Sequence, residues 1–193
     1  MEESPIYTVL VWIFEQFGGL QFYLRTNANG QWLKEYNWLA KSHYAPASPV
    51  LDKNQWWIIV LSDIGILLTL GSVYTWYKNF GFFNMFVNWF MPWCWVNHWL
   101  VFVTFLQHTD PSMPHYKDNE WTFARGAAAT IDREFGFVGQ HIFHDIIETH
   151  VLHHYVSRIP FYNAREASEA IKKVMGEHYR YTPENMWVSL WKV

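Results

Sequence analysis

Two long apolar stretches in direct succession constrain this chain more than any other feature. Residues 56–77 and 81–107 are each long enough to cross a bilayer, which takes about 20 mostly apolar residues in a helix. Two Trp residues open the first stretch and Trp76-Tyr77 closes it, as expected at membrane interfaces. The sequence therefore predicts two membrane spans, the second tilted or kinked at Pro92. A pair of buried core helices in a soluble protein is the alternative.

The segments before these stretches are more polar. Residues 5–24 are apolar but interrupted by Glu, Gln and Gly, which predicts an interfacial helix or partial span. Residues 26–55 contain Asn, Gly and Pro between the apolar stretches, which predicts a loop. We therefore interpret residues 1–107 as a membrane-associated region.

The character of the chain changes after residue 110, where 9 of its 14 Lys and Arg residues lie. Helices are predicted over residues 118–131, 140–155 and 163–175, the last with a capping box at Asn163 and a stop at Gly176. No segment shows a competing strand pattern. The predicted fold is all-α: membrane helices followed by a helical cap over residues 108–193, which the basic residues place on the cytosolic side.

Charge and cysteine content exclude several classes of function. A net charge of -3 gives no reason to expect a nucleic-acid partner. The single cysteine, Cys94, excludes an intramolecular disulfide framework. It also excludes the cysteine-rich sites of zinc fingers and iron–sulfur clusters.

The histidines indicate a metal site, because seven of the ten fall between residues 108 and 154. On a helix, His150, His153 and His154 lie within an arc of about 100°. His108 ends the last apolar stretch, where it can meet them at the membrane surface. A sulfur-free imidazole site suits zinc, copper or non-haem iron, and the spacing does not choose among them. The predicted ligands are these four histidines; a solvated histidine-rich helix face is the alternative.

Metal-bound imidazoles usually donate their second N–H to a neighbouring acceptor. Four residues near the predicted ligands are candidates for such outer contacts: His144, Asp145, Glu148 and Asp110. Plain surface charge is the alternative for the three carboxylates. His98 is expected to be a buried core residue. The chain has no His-Glu-x-x-His, no Gly-x-Ser-x-Gly and no glycine-rich phosphate loop, so no catalytic side chain is predicted beyond the ligands.

The order His150-Val151-Leu152-His153-His154 resembles the third histidine box of membrane-bound fatty acid desaturases, in particular the C-terminal half of the fungal oleate (delta-12, omega-6) type. Further segments that resemble this family are Trp95-Val96-Asn97-His98-Trp99-Leu100, Gln107-His108-Thr109-Asp110-Pro111, Pro114-His115-Tyr116, Arg125-Gly126-Ala127, Thr130-Ile131-Asp132-Arg133, Phe143-His144-Asp145 and Ile159-Pro160-Phe161-Tyr162-Asn163-Ala164.

The resemblance implies an integral membrane oxidoreductase of the endoplasmic reticulum whose histidine box faces the cytosol. Such an enzyme uses two non-haem iron ions, O2 and electrons from cytochrome b5 to insert a double bond into a lipid-linked acyl chain, here oleoyl to linoleoyl. His150, His153 and His154 map onto box ligands, and His108 onto an additional ligand. Related hydroxylases and epoxygenases use the same histidine cage, and no residue here excludes them.

The resemblance also has a gap. Two earlier boxes, His-x-x-x-His and His-x-x-His-His, have no counterpart, since only His43 precedes His98. We expect from this a truncated chain that starts after the second box and is inactive alone. A non-catalytic membrane remnant or metal-binding fragment is the alternative.

Overall fold

Helices form nearly all of the regular structure. The computed structural model describes residues 5–28, 30, 33–117 and 119–192, and it divides into two units, Met1–Val101 and Phe102–Val193. Within the described residues the strands comprise two residues each and pair in parallel, so the all-α prediction is confirmed. The principal elements are α1 (Pro5–Phe14), α2 (Leu20–Thr26), α3 (Trp56–Met85), α4 (Met91–His108), α5 (Phe123–Ala128), β1 (Asp132–Arg133), α6 (Gly136–His141), α7 (His150–Tyr155), α8 (Phe161–Met175), β2 (Tyr181–Thr182) and α9 (Met186–Lys192).

A helical run from Lys53 to His108 is long and apolar enough to cross a membrane. Gly81 interrupts it with φ 81° and ψ 167°, a conformation that glycine adopts without steric cost. The helical parts on either side of Gly81 each exceed the about 20 residues that a span requires. The break therefore lies at the first residue of the second predicted span.

A π-helical turn, Phe86–Phe90, lies just before Pro92, where the sequence predicts a tilt or a kink. A proline ring in a regular helix clashes with the carbonyl four residues earlier, here that of Asn88. Asn88 lies inside the π turn, whose extra residue changes the spacing of carbonyls at that point. The π turn therefore accommodates Pro92, and a tilt or kink at this residue stays a prediction.

Large apolar side chains along α3 are exposed. Trp57 is 54% exposed, Leu67 and Leu68 are each 68% exposed, and Phe83 is 78% exposed. So extensive an apolar surface is unfavourable in water and favourable in lipid. The exposure pattern thus agrees with the length and composition of the run.

The N-terminal helix predicted over residues 5–24 is confirmed, since α1, a π-helical turn and α2 cover Pro5–Thr26. Its interfacial position stays a prediction, as does a region boundary at residue 107. In this first unit, Gln21 Nε2 donates to Asn97 Oδ1 at 3.2 Å. The His98 ring stacks on Phe17 with 5.4 Å between ring centroids and is buried, as expected for a core residue.

The helices of the second unit are shorter than predicted. The helix expected over residues 118–131 is limited to α5, and position 118 lies outside the described residues. The helix expected over residues 140–155 is wrong: α6 ends at His141 and α7 begins at His150. Between them His144 and Asp145 have φ values of 51° and 62°, and two consecutive left-handed residues end an α-helix.

The helix α8 begins two residues earlier than predicted, at Phe161. Pro160 precedes it with φ -61° and ψ 143°, and no side-chain cap bond is formed there, so the Asn163 capping box was wrong. As the N-cap residue, Pro160 accepts the Asn163 backbone N–H on its carbonyl at 2.9 Å, and its ring prevents the helix from extending further toward the N-terminus. The predicted stop at Gly176 is confirmed, with φ 54°.

The core of the second unit lies between the end of α4, the segment 129–133 and α7. Buried apolar side chains define it: Phe102, Leu106, Ile131, Ile147, Val151, Leu152 and Leu190. The helix α7 packs its Val151 and Leu152 into this core, and its His150 faces His108 at the end of α4. This arrangement positions the histidines described next.

Candidate metal centre

Three histidine rings converge where α4 ends and α7 begins. His150 Nε2 lies 3.4 Å from His108 Nε2 and 3.2 Å from His154 Nε2. One ring nitrogen from each of the three residues falls within 4.8 Å of the other two. His150 is buried, and the other two are half-buried. We call these three side chains the imidazole cluster.

The spacing of the imidazole cluster fits a single metal ion. Imidazole nitrogens bound at about 2.0–2.1 Å to one ion, in tetrahedral or adjacent octahedral positions, lie about 2.9–3.4 Å apart. The two separations from His150 Nε2 fall in this range, and the ligand atoms of His108 and His154 lie within 4.8 Å of each other, so a bound ion would draw these two rings closer. A single ring nitrogen has either one N–H or one lone pair, so His150 Nε2 can form a linear hydrogen bond with only one of its two neighbours.

The ring orientation of His108 is set by a backbone contact. Its Nδ1 lies 3.3 Å from the carbonyl oxygen of Ala129, which can only accept a hydrogen bond. The proton of a neutral His108 ring therefore resides on Nδ1, and the lone pair of Nε2 faces the cluster. This is the usual way in which a metal-binding histidine is held by its second nitrogen.

Burial keeps the imidazoles of His150 and His154 neutral. The pKa of His150 is lowered to about 3, first by burial and then by the neighbouring imidazoles His154, His108 and His153. The pKa of His154 is lowered to about 4, again by burial first and then by His108 and His153. Both residues thus present unprotonated nitrogens at neutral pH, which is the form that binds a metal ion.

We expect metal binding to the imidazole cluster to depend weakly on pH between 6.5 and 5. A proton competes with the metal ion only below the pKa of each ring, so His150 and His154 contribute little competition in this interval. The logarithm of the association constant should fall by no more than about one per pH unit, against an average of about 2.4 for three imidazoles with pKa about 6.5. Zn²⁺ titrations of the detergent-solubilised chain measure this slope; an average of about two or more would contradict the neutral cluster.

His153 and His144, two other predicted site residues, lie outside the cluster. His153 is exposed, and its ring centroid is 5.8 Å from that of His150. His144 is also exposed, and it packs on Phe161 with 4.6 Å between ring centroids. The structure therefore brings together three of the four predicted ligands.

The three predicted carboxylates bind groups other than the imidazoles. Asp145 pairs with Arg165 at 2.5 Å. Glu148 accepts the Phe135 backbone N–H at 3.1 Å, and burial raises the pKa of its carboxyl. Asp110 forms an ion pair with Arg133.

Sequence reasoning missed Asp132 and Arg133, which are 1% and 2% exposed. The Arg133 guanidinium donates to the Asp110 carboxylate at 2.6 Å, to the Leu106 carbonyl at 2.9 Å and to the Ser189 hydroxyl at 2.7 Å. The sequence does contain a feature that could have indicated them: two opposite charges stand side by side directly after the apolar Ile131. Buried charges need partners, so such a pair predicts an internal bonding role.

Comparison with known proteins identifies the family. The family model described as fatty acid desaturase matches residues 4–184. An oleate hydroxylase of Claviceps purpurea is 49% identical over 99% of this chain, and a delta(12) fatty acid desaturase of Mortierella isabellina is 40% identical over 99% of it. The chain belongs to the fatty acid desaturase family. The family resemblance inferred from the histidine box is thereby confirmed.

The similarity extends beyond fungi and covers only part of each relative. A delta(12)-fatty-acid desaturase of Arabidopsis thaliana is 35% identical over 98% of this chain. The chain covers 43% of the Claviceps protein, 47% of the Mortierella protein and 48% of the Arabidopsis protein, so it spans about half the length of these desaturase-family relatives. No solved structure matches it significantly.

Proposed function

We propose that this chain forms part of the metal centre of an O2-dependent oxidoreductase that inserts a double bond at the delta-12 position of a lipid-linked oleoyl chain. The observation that carries the proposal is the imidazole cluster, three converging nitrogens at the end of a helical run long and apolar enough to cross a membrane. A centre at that position can meet an acyl chain that lies among lipid tails. Membership of the desaturase family supports this class of reaction.

The donor set fits iron held by imidazoles. His108, His150 and His154 would hold one ion, and exposed His153 would contribute to a second ion together with histidines from another segment. Bound iron supplies the one-electron and O2 chemistry that no amino-acid side chain provides. The residues of this chain supply unprotonated nitrogens, fix the ring of His108 through Ala129, and shield His150 from water.

The electron balance requires an external donor. Reduction of O2 to two water molecules takes four electrons, of which two come from the two C–H bonds that are lost when the double bond forms. The other two come from a separate protein, for which we propose cytochrome b5. The Lys and Arg residues concentrated after residue 110 support a cytosolic position for the cluster, at the endoplasmic reticulum membrane.

Hydroxylation is the second candidate function. It needs the same O2 and the same two external electrons, but one oxygen atom enters the acyl chain and one becomes water. The 49% identical relative is named an oleate hydroxylase, and the 40% identical relative a delta(12) desaturase. The imidazole cluster serves both reactions equally, so the product distinguishes them.

We further propose that turnover needs histidines from a segment that carries the two earlier boxes. The imidazole cluster offers three nitrogens, enough for one ion but not for a pair. The alternative is a metal-binding membrane protein without turnover.

A chimaera tests the proposed reaction. The N-terminal half of the Mortierella isabellina desaturase, joined to this chain, should produce linoleate in a yeast that makes oleate but lacks delta-12 desaturation. His150→Ala and His153→Ala should each abolish the product, because each removes a proposed iron ligand. The matched control is His141→Ala, which changes an exposed histidine of α6. Gas chromatography of total fatty acids measures the outcome.

Each result has a defined meaning. A hydroxylated oleoyl product would favour the second candidate function. No product from a well-expressed chimaera, with the parental desaturase active in the same host, would contradict both oxidoreductase functions. Linoleate from this chain expressed alone would contradict the requirement for additional histidines.

A further inference from the structure

The segment 129–133 connects the two helices that carry the imidazole cluster. It makes hydrogen bonds to the last turn of α4 on one side and to the first turn of α7 on the other. The last C=O groups of α4 and the first N–H groups of α7 need hydrogen-bond partners outside these helices, because the terminal groups of a helix have no partner within it. The position of the rings therefore depends on residues outside both helices.

The end of α4 is fixed by donors from this segment. Arg133 Nε donates to the carbonyl of Leu106 at 2.9 Å. The carbonyl of Gln107 accepts the Ile131 backbone N–H at 3.2 Å and the Thr130 hydroxyl at 3.2 Å. These two carbonyls immediately precede His108, so the bonds hold the backbone from which its ring projects.

Arg133 also holds the chain just after His108. Its Nη2 donates to Asp110 Oδ2 at 2.6 Å, in an ion pair whose arginine is 2% exposed. Its Nη1 donates to the hydroxyl of Ser189, which in turn donates to Glu184. The guanidinium therefore contacts residues on both sides of His108 while it is itself restrained by α9.

The start of α7 is fixed by Asp132. Its Oδ1 accepts the buried N–H of Val151 at 2.7 Å, and its Oδ2 accepts the Tyr179 hydroxyl at 2.5 Å. A negative charge at the first turn also interacts favourably with the helix dipole. With six residues, α7 is too short to be stable in isolation, so its orientation depends on such contacts.

We propose that Asp132 and Arg133 are a pair of positioning residues that together set the separation between His108 and the two imidazoles of α7. Neighbouring side chains of a strand point to opposite faces, which is why adjacent residues of β1 reach two different helices. The pairing of β1 with β2 holds the two residues in place, together with the bond from the Asp132 N–H to the carbonyl of Arg180, just before β2, at 3.1 Å. This inference requires only one part of the proposed function, namely that the imidazole cluster binds a metal ion.

Co²⁺ titration of the full chain in detergent tests the proposal, with the visible absorption of bound Co²⁺ as readout. Asp132→Ala and Arg133→Lys should each weaken binding on the order of tenfold, the size typical of lost outer contacts at metal sites. Asp132→Asn should weaken it less, because the amide oxygen can still accept the Val151 N–H. The absorption band should also change shape in Asp132→Ala, since the ring geometry around the ion is altered.

The matched control is Leu190→Ala, which removes a buried apolar side chain of the same unit without a bond to either histidine-bearing helix end. Titrations are run at a temperature where circular dichroism shows every variant folded. Binding by Asp132→Ala and Arg133→Lys as tight as by Leu190→Ala would overturn the positioning role. Failure of His150→Ala to weaken binding would instead overturn the metal site itself, and the positioning role with it.

Discussion

Replacement of His150 by alanine is expected to weaken Co²⁺ binding to the chain by at least about 100-fold, more than the loss of an outer contact at a metal site. His150 is central to the imidazole cluster, because its Nε2 is the atom that approaches both other Nε2 atoms. Its removal leaves His108 and His154 with no third nitrogen between them. Titration of the solubilised chain, followed by visible absorption, measures the change.

Two other histidines provide controls for the His150 experiment. His141→Ala should leave Co²⁺ affinity unchanged, since that ring is exposed and its Nδ1 lies 3.2 Å from the Phe137 carbonyl. His153→Ala should change the affinity of this chain less than about threefold, although we expect it to abolish turnover in the chimaera. Equal losses for His150→Ala and His141→Ala would mean that Co²⁺ binds elsewhere on the protein.

Replacement of Arg133 by methionine should lower the free energy of unfolding by about 3–5 kcal/mol, the range for breaking a buried ion pair by removing one partner. The guanidinium is 2% exposed, and its loss leaves the Asp110 carboxylate and the Leu106 carbonyl without this donor. Methionine preserves much of the apolar volume, so the cost reflects the lost bonds more than a cavity. Denaturant titration in detergent, followed by circular dichroism, gives the value.

The matched control for the Arg133 experiment is Arg165→Met, because Arg165 forms a comparable ion pair with Asp145 but is 48% exposed. Exposed ion pairs contribute only about 0–1 kcal/mol, since water solvates both partners when the pair is broken. A similar loss of stability in the two variants would show that burial of Arg133 does not decide its contribution.

Local sequence patterns were sufficient for the long helices and for the kind of metal site. Apolar length predicted the helical run that ends at His108, and the left-handed Gly176 was predictable as the end of α8. A run of imidazoles without cysteine predicted a histidine metal site, and three of its four predicted ligands converge. These features depend on neighbours a few residues apart, which a single stretch of sequence contains.

Local patterns failed where distant residues decide the backbone. The predicted helix over 140–155 is broken at His144 and Asp145, which adopt the left-handed conformation. Two contacts of Asp145 stabilise this turn: its backbone N–H donates to the Gly139 carbonyl at 2.9 Å, and its carboxylate pairs with Arg165. No glycine marks that turn in the sequence. A helix prediction rests on the propensities of neighbouring residues, so it does not take into account a contact with Arg165, which is twenty residues away from Asp145.

The sequence by itself determined that this chain has apolar helices of membrane-spanning length and an all-imidazole donor set, because composition and spacing are properties of short segments. Only the tertiary structure decided that His108, His150 and His154 meet while His153 stays exposed. That selection depends on hydrogen bonds from Asp132 and Arg133 to the two helix ends. Asp132 lies 19 residues from its partner Val151, and Arg133 lies 27 residues from its partner Leu106. Contacts over such separations arise from the packing of the core and have no signature in the periodicity of either helix.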